Sequence, residues 1–456
     1  MTSHSETPPW EQLEQLMLAK DAEGLRQLVD ELSPADLARA FSRMDDDVRG
    51  PVLTLLDTEY AAGVIEEMSD IQAAEILADL DPRHAAGIVQ ELDSDEQADL
   101  LASLRARKAE AVLREMDPEE ARDVRNLLRY KPYTAGGLMI TEYLAFSEDQ
   151  TISDALSEIK SNAEEYSDYS VQYIYVVEAN GLLTGIVPLR NLVLSRGEAT
   201  LASVMIRDPV QAWVEDSLDS LSQLFERYAF LGVPVTDEDG VLVGVVQRAA
   251  VEEAEAERNQ RTFMRLSGIV GGEEVRSISY GLRLTRRLSW LLANIPLNLL
   301  AVSVIAFYED TLAAVIALAV FLPIVSDMSG NVGSQAVAVS IRELTLGVTR
   351  PADFMRVLWK EVDVGMLNGL VLGLVLGAVS YFYSGSAVIG VVICLAMALN
   401  TVVSGIVGGL LPLGLKAVGI DPALASVPIL TTITDMGGFF FVLGFAAAAL
   451  SYGVIS

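Results

Sequence analysis

Five long apolar stretches, roughly 286–307, 312–341, 358–383, 387–414 and 424–452, fill the last third of this 456-residue chain. Each supplies the ~20 residues needed to cross a hydrocarbon core. Inside lipid a segment must satisfy its own backbone, so each stretch is expected to be a membrane-spanning helix. Charge divides at the same boundary. Residues 286–456 hold nine acids and seven bases, whereas residues 1–285 hold 54 and 25, so almost all of the formal charge of −31 lies in the first part. The chain therefore reads as an acidic, water-exposed module joined to an apolar one.

Several function classes drop out. No basic stripe exists to release counterions, which disfavours a nucleic-acid partner. The single cysteine, Cys394, rules out an internal disulfide framework and reads as a small packing residue in an apolar run. With only His4 and His84, a histidine-rich metal site is impossible. The N-terminal MTSHSETPPW lacks an apolar signal core. No Walker A loop, zinc signature or nucleophile elbow occurs, so neither an enzyme nor an ATP-driven pump is expected. An acidic surface instead suits cations, or simply confers solubility.

Residues 30–130 repeat every 12 residues. Leu32, Met44, Leu56, Met68, Leu80, Leu92, Leu104, Met116 and Leu128 share one register. Apolar pairs such as Val64-Ile65, Ile76-Leu77, Ile88-Val89, Leu100-Leu101 and Val112-Leu113 follow at a constant offset. Ser33-Pro34, Asp81-Pro82, Asp93-Ser94 and Asp117-Pro118 are helix-start signals. The spacing predicts short helices of about two turns, stacked so that neighbours share a core.

Residues 134–248 carry an internal duplication. Val176-Val177-Glu178-Ala179-Asn180-Gly181 leads to Gly185-Ile186-Val187, and Val235-Thr236-Asp237-Glu238-Asp239-Gly240 leads to Gly244-Val245-Val246. Met139-Ile140 and Met205-Ile206 open the two halves. Short β-branched strands around Asn-Gly or Asp-Gly turns, with helices between them, resemble a tandem CBS pair. That resemblance implies a regulatory module that binds adenine nucleotides such as ATP, or metal ions. Residues 249–267 then read as a charged connecting helix, acids first (Glu252, Glu253, Glu255, Glu257) and bases last (Arg258, Arg261, Arg265), as the helix dipole favours.

Basic residues orient the spans. Arg276, Arg283, Arg286 and Arg287 precede the first, Arg342, Arg350, Arg356 and Lys360 lie between the second and third, and Lys416 lies between the fourth and fifth. The positive-inside rule places the N-terminus in the cytosol and the C-terminus outside. Two carboxylates sit within spans. Asp327 lies in the run Ser326–Gln335, which is expected to break the second span, and Asp435 lies in Thr431-Thr432-Ile433-Thr434-Asp435-Met436-Gly437-Gly438. An ionisable group at membrane depth is a functional-site hypothesis, weighed against a hydrogen-bonded carboxyl gluing helices. Asn331, Thr431, Thr432 and Thr434 are candidate partners around these acids. Gly369, Gly373 and Gly377 read as helix packing. Carboxylates with hydroxyl and amide neighbours suit a hard, strongly hydrated cation such as Mg2+, and two copies of the chain would supply two Asp435 charges.

At this point the chain resembles the MgtE family of bacterial magnesium channels and transporters over nearly its whole length. The motifs carrying this are Leu322-Pro323 with Gly330-Asn331-Val332-Gly333-Ser334-Gln335, Gly419-Ile420-Asp421-Pro422-Ala423-Leu424, and Thr434-Asp435. The resemblance implies a multidomain fold. It comprises an all-α, short-helix superhelical N domain (1–131), an α/β tandem CBS pair (132–248), a connecting, plug-like helix and linker (249–285), and a five-helix transmembrane pore domain (286–456). It implies a homodimer in the bacterial plasma (inner) membrane, surrounded by lipid, importing Mg2+ down its gradient, with Asp435 recognising the hydrated ion. It also implies regulatory Mg2+ sites at Asp95, Asp99, Asp219, Glu253 and Asp421, the last facing the connecting helix. This chain departs from the family where Gly63, Ala229 and Ala250 stand at expected acidic positions, and where Arg258 and Arg261 fall at acidic positions of the connecting helix. The alternatives are a transporter of Co2+ or Mn2+, or a membrane-anchored CBS sensor that conducts nothing.

Overall fold

The computed structural model describes residues 8–453 except 20, 45, 164, 165, 167, 168, 170 and 272–278. His4 and Arg276 lie outside the described residues. The chain divides into two compact units, 1–258 with 275–278, and 259–274 with 279–456.

The first unit opens with α1 (Pro9–Ala19), α2 (Ala22–Asp30), α3 (Pro34–Phe41), α4 (Asp46–Leu53), α5 (Thr58–Glu66), α6 (Asp70–Asp79), α7 (Pro82–Val89), α8 (Ser94–Ser103), α9 (Ala106–Glu115) and α10 (Pro118–Leu127). From α3 onward each helix begins 12 residues after the last, two places beyond an anchor of the sequence register. Odd-numbered helices pack on odd and even on even, so the repeat builds two interleaved rows. Every apolar pair named above is buried, as are Met44, Leu80, Leu92, Leu104 and Met116, while Leu128 is exposed where the array ends. Ser33, Asp57, Asp81 and Asp117 cap their helices by accepting a backbone N–H. Asp93 makes no side-chain cap bond.

The duplicated segment forms two four-stranded sheets. The elements are β1 (Met139–Ile140), β2 (Ala145–Ser147), α11 (Ile152–Ser161), β3 (Tyr173–Val177), β4 (Leu183–Pro188), α12 (Leu189–Leu194) and α13 (Leu201–Val204). They continue with β5 (Ile206–Arg207), β6 (Ala212–Trp213), α14 (Leu218–Arg227), β7 (Gly232–Thr236) and β8 (Leu242–Gln247). The strand orders, β2-β3-β4-β5 and β1-β8-β7-β6, mean that each repeat lends a two-residue strand to the other's sheet. Glycine permits this exchange. A Cβ on Gly185 would lie 2.5 Å from Met205 Sδ, and one on Gly244 would lie 2.6 Å from Met139 Sδ. The hairpin glycines Gly181 and Gly240 both have left-handed backbones, φ 83° and 79°. Leu183 N–H donates to the Gly240 carbonyl and Leu242 N–H to the Gly181 carbonyl, a reciprocal pair across the pseudo-two-fold. One apolar core runs from the helical array into the second sheet and reaches Val251 and Ala254 of α15 (Arg248–Leu266).

The second unit holds α16 (Tyr280–Phe307), α17 (Glu309–Ala314), α18 (Leu322–Thr345), α19 (Phe354–Ser384), α20 (Ala387–Ala417) and α21 (Pro422–Ser451). Among the described residues five segments are long and apolar enough to cross a membrane, as the five stretches predict. Large apolar side chains such as Leu291, Leu299, Leu370 and Leu374 are exposed on α16 and α19, the surface a lipid-bathed helix presents. Helix α20 is the hub, packed against α18, α19 and α21. A Cβ on Gly369 or Gly373 would come within 2.6 Å of the Ala398 or Cys394 carbonyl oxygen, and one on Gly377 within 2.7 Å of Cys394 Cβ. This triplet and Cys394 therefore serve close helix packing.

One expectation is corrected. The second span is broken at Val315–Phe321, where a 3-10 turn (Ile316–Val320) replaces helix, and α18 runs unbroken through Ser326–Gln335. Pro323 sits in its first turn, where no N–H is needed. Its glycines admit neighbours, since a Cβ on Gly333 would meet Leu430 Cδ1 at 2.8 Å. Hydroxyls then join the helices: Ser404 Oγ donates to the Ser329 carbonyl at 2.5 Å and Ser340 Oγ to the Gly409 carbonyl at 2.8 Å.

Candidate ion site and acidic surface

Helix α21 carries Asp435 half-buried, and α18 brings its polar run alongside. Ser326 Oγ donates to Asp435 Oδ1. Asp327 is exposed, 3.4 Å from the Asn331 amide nitrogen, which donates to its Oδ2. Gly330 faces Thr434, whose Oγ1 would be 3.6 Å from a Cβ there. The two intramembrane acids predicted from sequence thus share one polar strip between α18 and α21, with Asn331 beside them.

The threonines play another part than expected. Thr431 Oγ1 donates to the Val427 and Pro428 carbonyls, Thr432 Oγ1 to the Pro428 carbonyl and Thr434 Oγ1 to the Thr431 carbonyl. Thr432 and Thr434 are also buried. Their hydroxyls bond carbonyls of the preceding turn of α21, which runs unbroken past Pro428. None is hydrogen-bonded to Asp435.

Two contacts escaped the sequence reading. Asn400 of α20 is fully buried and donates its amide N–H to the Thr434 carbonyl at 3.0 Å, one residue before Asp435. The signal was available: Asn400 is the one amide side chain in a 31-residue apolar helix, and a polar group at that depth is expensive. Glu361 of α19 is another acid within a spanning segment, half-buried against α20, where a Cβ on Gly409 would lie 2.5 Å from its Cγ.

In the first unit the acids converge at α8. Half-buried Asp95 is pushed up to about 7 by burial, then by the Asp93 charge, with Asp99 and Glu142 adding to it. Glu96 reaches the surface, yet partial dehydration and the charges of Glu66, Asp95, Asp93 and Glu253 push it up to about 8. Burial also raises Glu142, and Ser94 opposes this by donating to its Oε2 at 2.7 Å. The predicted Asp95, Asp99 and Glu253 therefore belong to one repelling cluster. Among the described residues no three such acids converge tightly enough to ligate a bare metal ion.

Asp219 and Asp421, expected as metal ligands, are held by arginines. Arg258 Nη1 pairs with Asp219 Oδ1 at 2.7 Å. Arg265 Nη1 pairs with Asp421 Oδ2 at 2.6 Å, while Asp421 Oδ1 caps α21 by accepting the Ala423 N–H. Asp421 does face the connecting helix α15. At Asp219 the partner is Arg258, which stands where the family resemblance leads one to expect an acid.

Between the two sheets lies a cleft of about 240 Å³ lined by residues including Tyr143, Tyr173, Tyr175, Gln172, Arg248 and Glu252.

A family model described as a divalent cation transporter matches residues 322–445, the model of the MgtE intracellular N domain matches 32–133, and CBS domain models match 135–196 and 201–255. The magnesium transporter MgtE of Thermus thermophilus is 30% identical over 442 residues, covering 96% of this chain and 98% of that protein.

The chain belongs to the MgtE family.

The MgtE of Bacillus subtilis is 28% identical over 93% of both chains. A solved structure described as the cytosolic domain of the Mg2+ channel MgtE in complex with ATP is 31% identical, with a TM-score of 0.49, covering 54% of this chain and 99% of that one. This MgtE-family chain is a multipass membrane protein with the N-terminal helical and tandem CBS domains of the family.

Proposed function

We propose that this protein is a homodimeric Mg2+ channel in a bacterial plasma membrane, with Asp435 as the pore carboxylate. The observation that carries the reading is the Asp435 carboxylate at membrane depth beside the polar run of α18. Mg2+ releases its waters reluctantly, so a carboxylate suits it by gripping the hydration shell. One carboxylate cannot neutralise a divalent ion, and a second copy about a two-fold axis supplies the other. Conduction is down the electrochemical gradient: inside-negative voltage favours a divalent cation by ~4.6 kcal/mol per 100 mV, twice the single-charge value. The basic residues flanking the spans support a cytosolic N-terminus and acidic module.

Gating follows from the acidic cluster. Bare carboxylates around Asp95 and Glu96 repel, and Mg2+ lowers that repulsion and draws the surfaces that carry them together. Because Asp219 and Asp421 are already paired, cytosolic Mg2+ acts mainly through Asp93, Asp95, Glu96, Asp99 and Glu253. The tyrosine-lined cleft between the sheets is the candidate place for an adenine nucleotide. Equilibrium dialysis against ATP tests this, and no binding at millimolar nucleotide would remove it.

The experiment for the whole reading is rescue of magnesium growth in cells lacking other magnesium uptake. Asp435→Asn at unchanged membrane abundance should not rescue. Full rescue by that variant would sink the pore assignment.

A further inference from the structure

The Asn400 amide is placed with unusual constraint. Its Nδ2 donates to the Thr434 carbonyl at 3.0 Å, and the side chain is wholly buried between α20 and α21. Its Oδ1 is buried with no hydrogen-bond partner among the described residues. A flipped amide would set oxygen against the Thr434 carbonyl oxygen, so the observed orientation is the one the site permits. The amide lies over the next turn of α21. A Cβ on Gly437 would come within 2.5 Å of Asn400 Oδ1, and one on Gly438 within 3.1 Å of Asn400 Nδ2 and 3.4 Å of Ser326 Cα. Gly437-Gly438 is therefore the bare backbone on which Asn400 and Ser326 both rest. A buried, unpaired amide oxygen is destabilising and calls for a compensating role.

Asp435 sits between these contacts, one residue after Thr434 and two before Gly437. Ser326 Oγ, from the other side, donates to its Oδ1, and among the described residues no hydrogen bond reaches Oδ2. We propose that Asn400 and Ser326 are positioning residues for Asp435: Asn400 fixes the turn that bears it, Ser326 fixes one carboxylate oxygen, and the second oxygen is left to face the hydrated ion. The proposal rests on the reading of Asp435 as the pore carboxylate. It adds a source of specificity. Mg2+ keeps a near-ideal octahedral shell, whereas Ca2+ accepts six to eight ligands in flexible geometry. A carboxylate held in one orientation matches the rigid shell, and a loosened one tolerates both ions.

The test is Mg2+ uptake by the purified full-length protein in liposomes, with Ca2+ as competitor, for Ser326→Ala, Ser326→Thr, Asn400→Ala and Asp435→Asn. Losing a hydrogen bond that holds a charged group, or the turn that carries it, should raise the Mg2+ half-saturation about ten-fold in S326A and N400A. Ca2+ should then compete where it did not before. S326T keeps the hydroxyl and should recover the wild-type half-saturation and the exclusion of Ca2+. A purely structural role would instead lower maximal flux in step with the yield of monodisperse protein. Unchanged half-saturation and unchanged Ca2+ exclusion in S326A and N400A overturn the proposal. If N400A yields no monodisperse protein, the S326A and S326T pair decides alone. The Asp435→Asn arm separates the two claims: wild-type flux there defeats the pore reading itself, while lost flux there with normal S326A and N400A defeats only the positioning role.

Discussion

Replacing Asp95 by asparagine should stabilise the first unit at alkaline pH and flatten its dependence on pH and Mg2+. Asp95 is raised from an ordinary value near 3.8 to about 7, by burial first and by Asp93 second. Each decade is worth about 1.4 kcal/mol, so the ionised fold is disfavoured by about 4 kcal/mol before screening. Water at the half-exposed edge screens the neighbouring charges, and about 2 kcal/mol is the figure to carry forward. The sign follows from linkage. Below about pH 4 the carboxyl is protonated in both states and its contribution is fully present; as pH rises through about 7 that contribution is lost. The wild-type unit should therefore be less protected at pH 8 than at pH 5.5, and Mg2+ should restore protection more at pH 8. Hydrogen exchange of the full chain in detergent reads this at the amides of α8 and Thr141, which donates to Ser94 Oγ. Asp95→Asn should gain protection at pH 8, lose most of the pH difference and respond less to Mg2+. Equal protection at both pH values in the wild type, or loss of protection at pH 8 in the variant, would refute the argument.

Other perturbations test separate parts. Arg258→Glu sets a carboxylate against Asp219 in place of the ion pair, which is worth at most about 1 kcal/mol at this partly exposed place; flux into liposomes should become more sensitive to Mg2+ on the cytosolic side, and an unchanged Mg2+ response would count against the substitution of arginine for metal. Gly373→Val drives a branched side chain into the Cys394 carbonyl and should cost about 1–3 kcal/mol, read as a lower melting temperature in detergent. Gly414→Ala meets nothing within 4 Å and should be neutral or stabilising. Ile88→Ala, in the fully buried core of the array, should cost about 2–5 kcal/mol by thermal unfolding.

Local periodicity made much of the fold legible. The 12-residue register located the helix starts of the array because each unit buries the same two or three positions. The duplication pointed to paired sheets, but the strand exchange was visible only as an unexplained match of Met139-Ile140 with Met205-Ile206. The five spans were legible from hydropathy, while the break at 315–321 was not, because an apolar 3-10 turn and an apolar helix have the same composition. Asp435 stood out as a carboxylate among apolar residues. The arginine pairs did not, because Arg258 and Asp219 lie 39 positions apart and only the fold brings them together. Asn400 could have been flagged as a lone amide in an apolar helix, but its partner Thr434 could not have been named.

The central claim is that a single intramembrane carboxylate per chain recognises the permeating ion. Its most direct test is the Mg2+ flux of purified wild-type and Asp435→Asn protein in liposomes, at matched reconstitution and with low Mg2+ on the cytosolic side. The account predicts saturable, voltage-dependent Mg2+ entry in the wild type and none above protein-free liposomes in the variant. Wild-type flux and saturation in Asp435→Asn would contradict it.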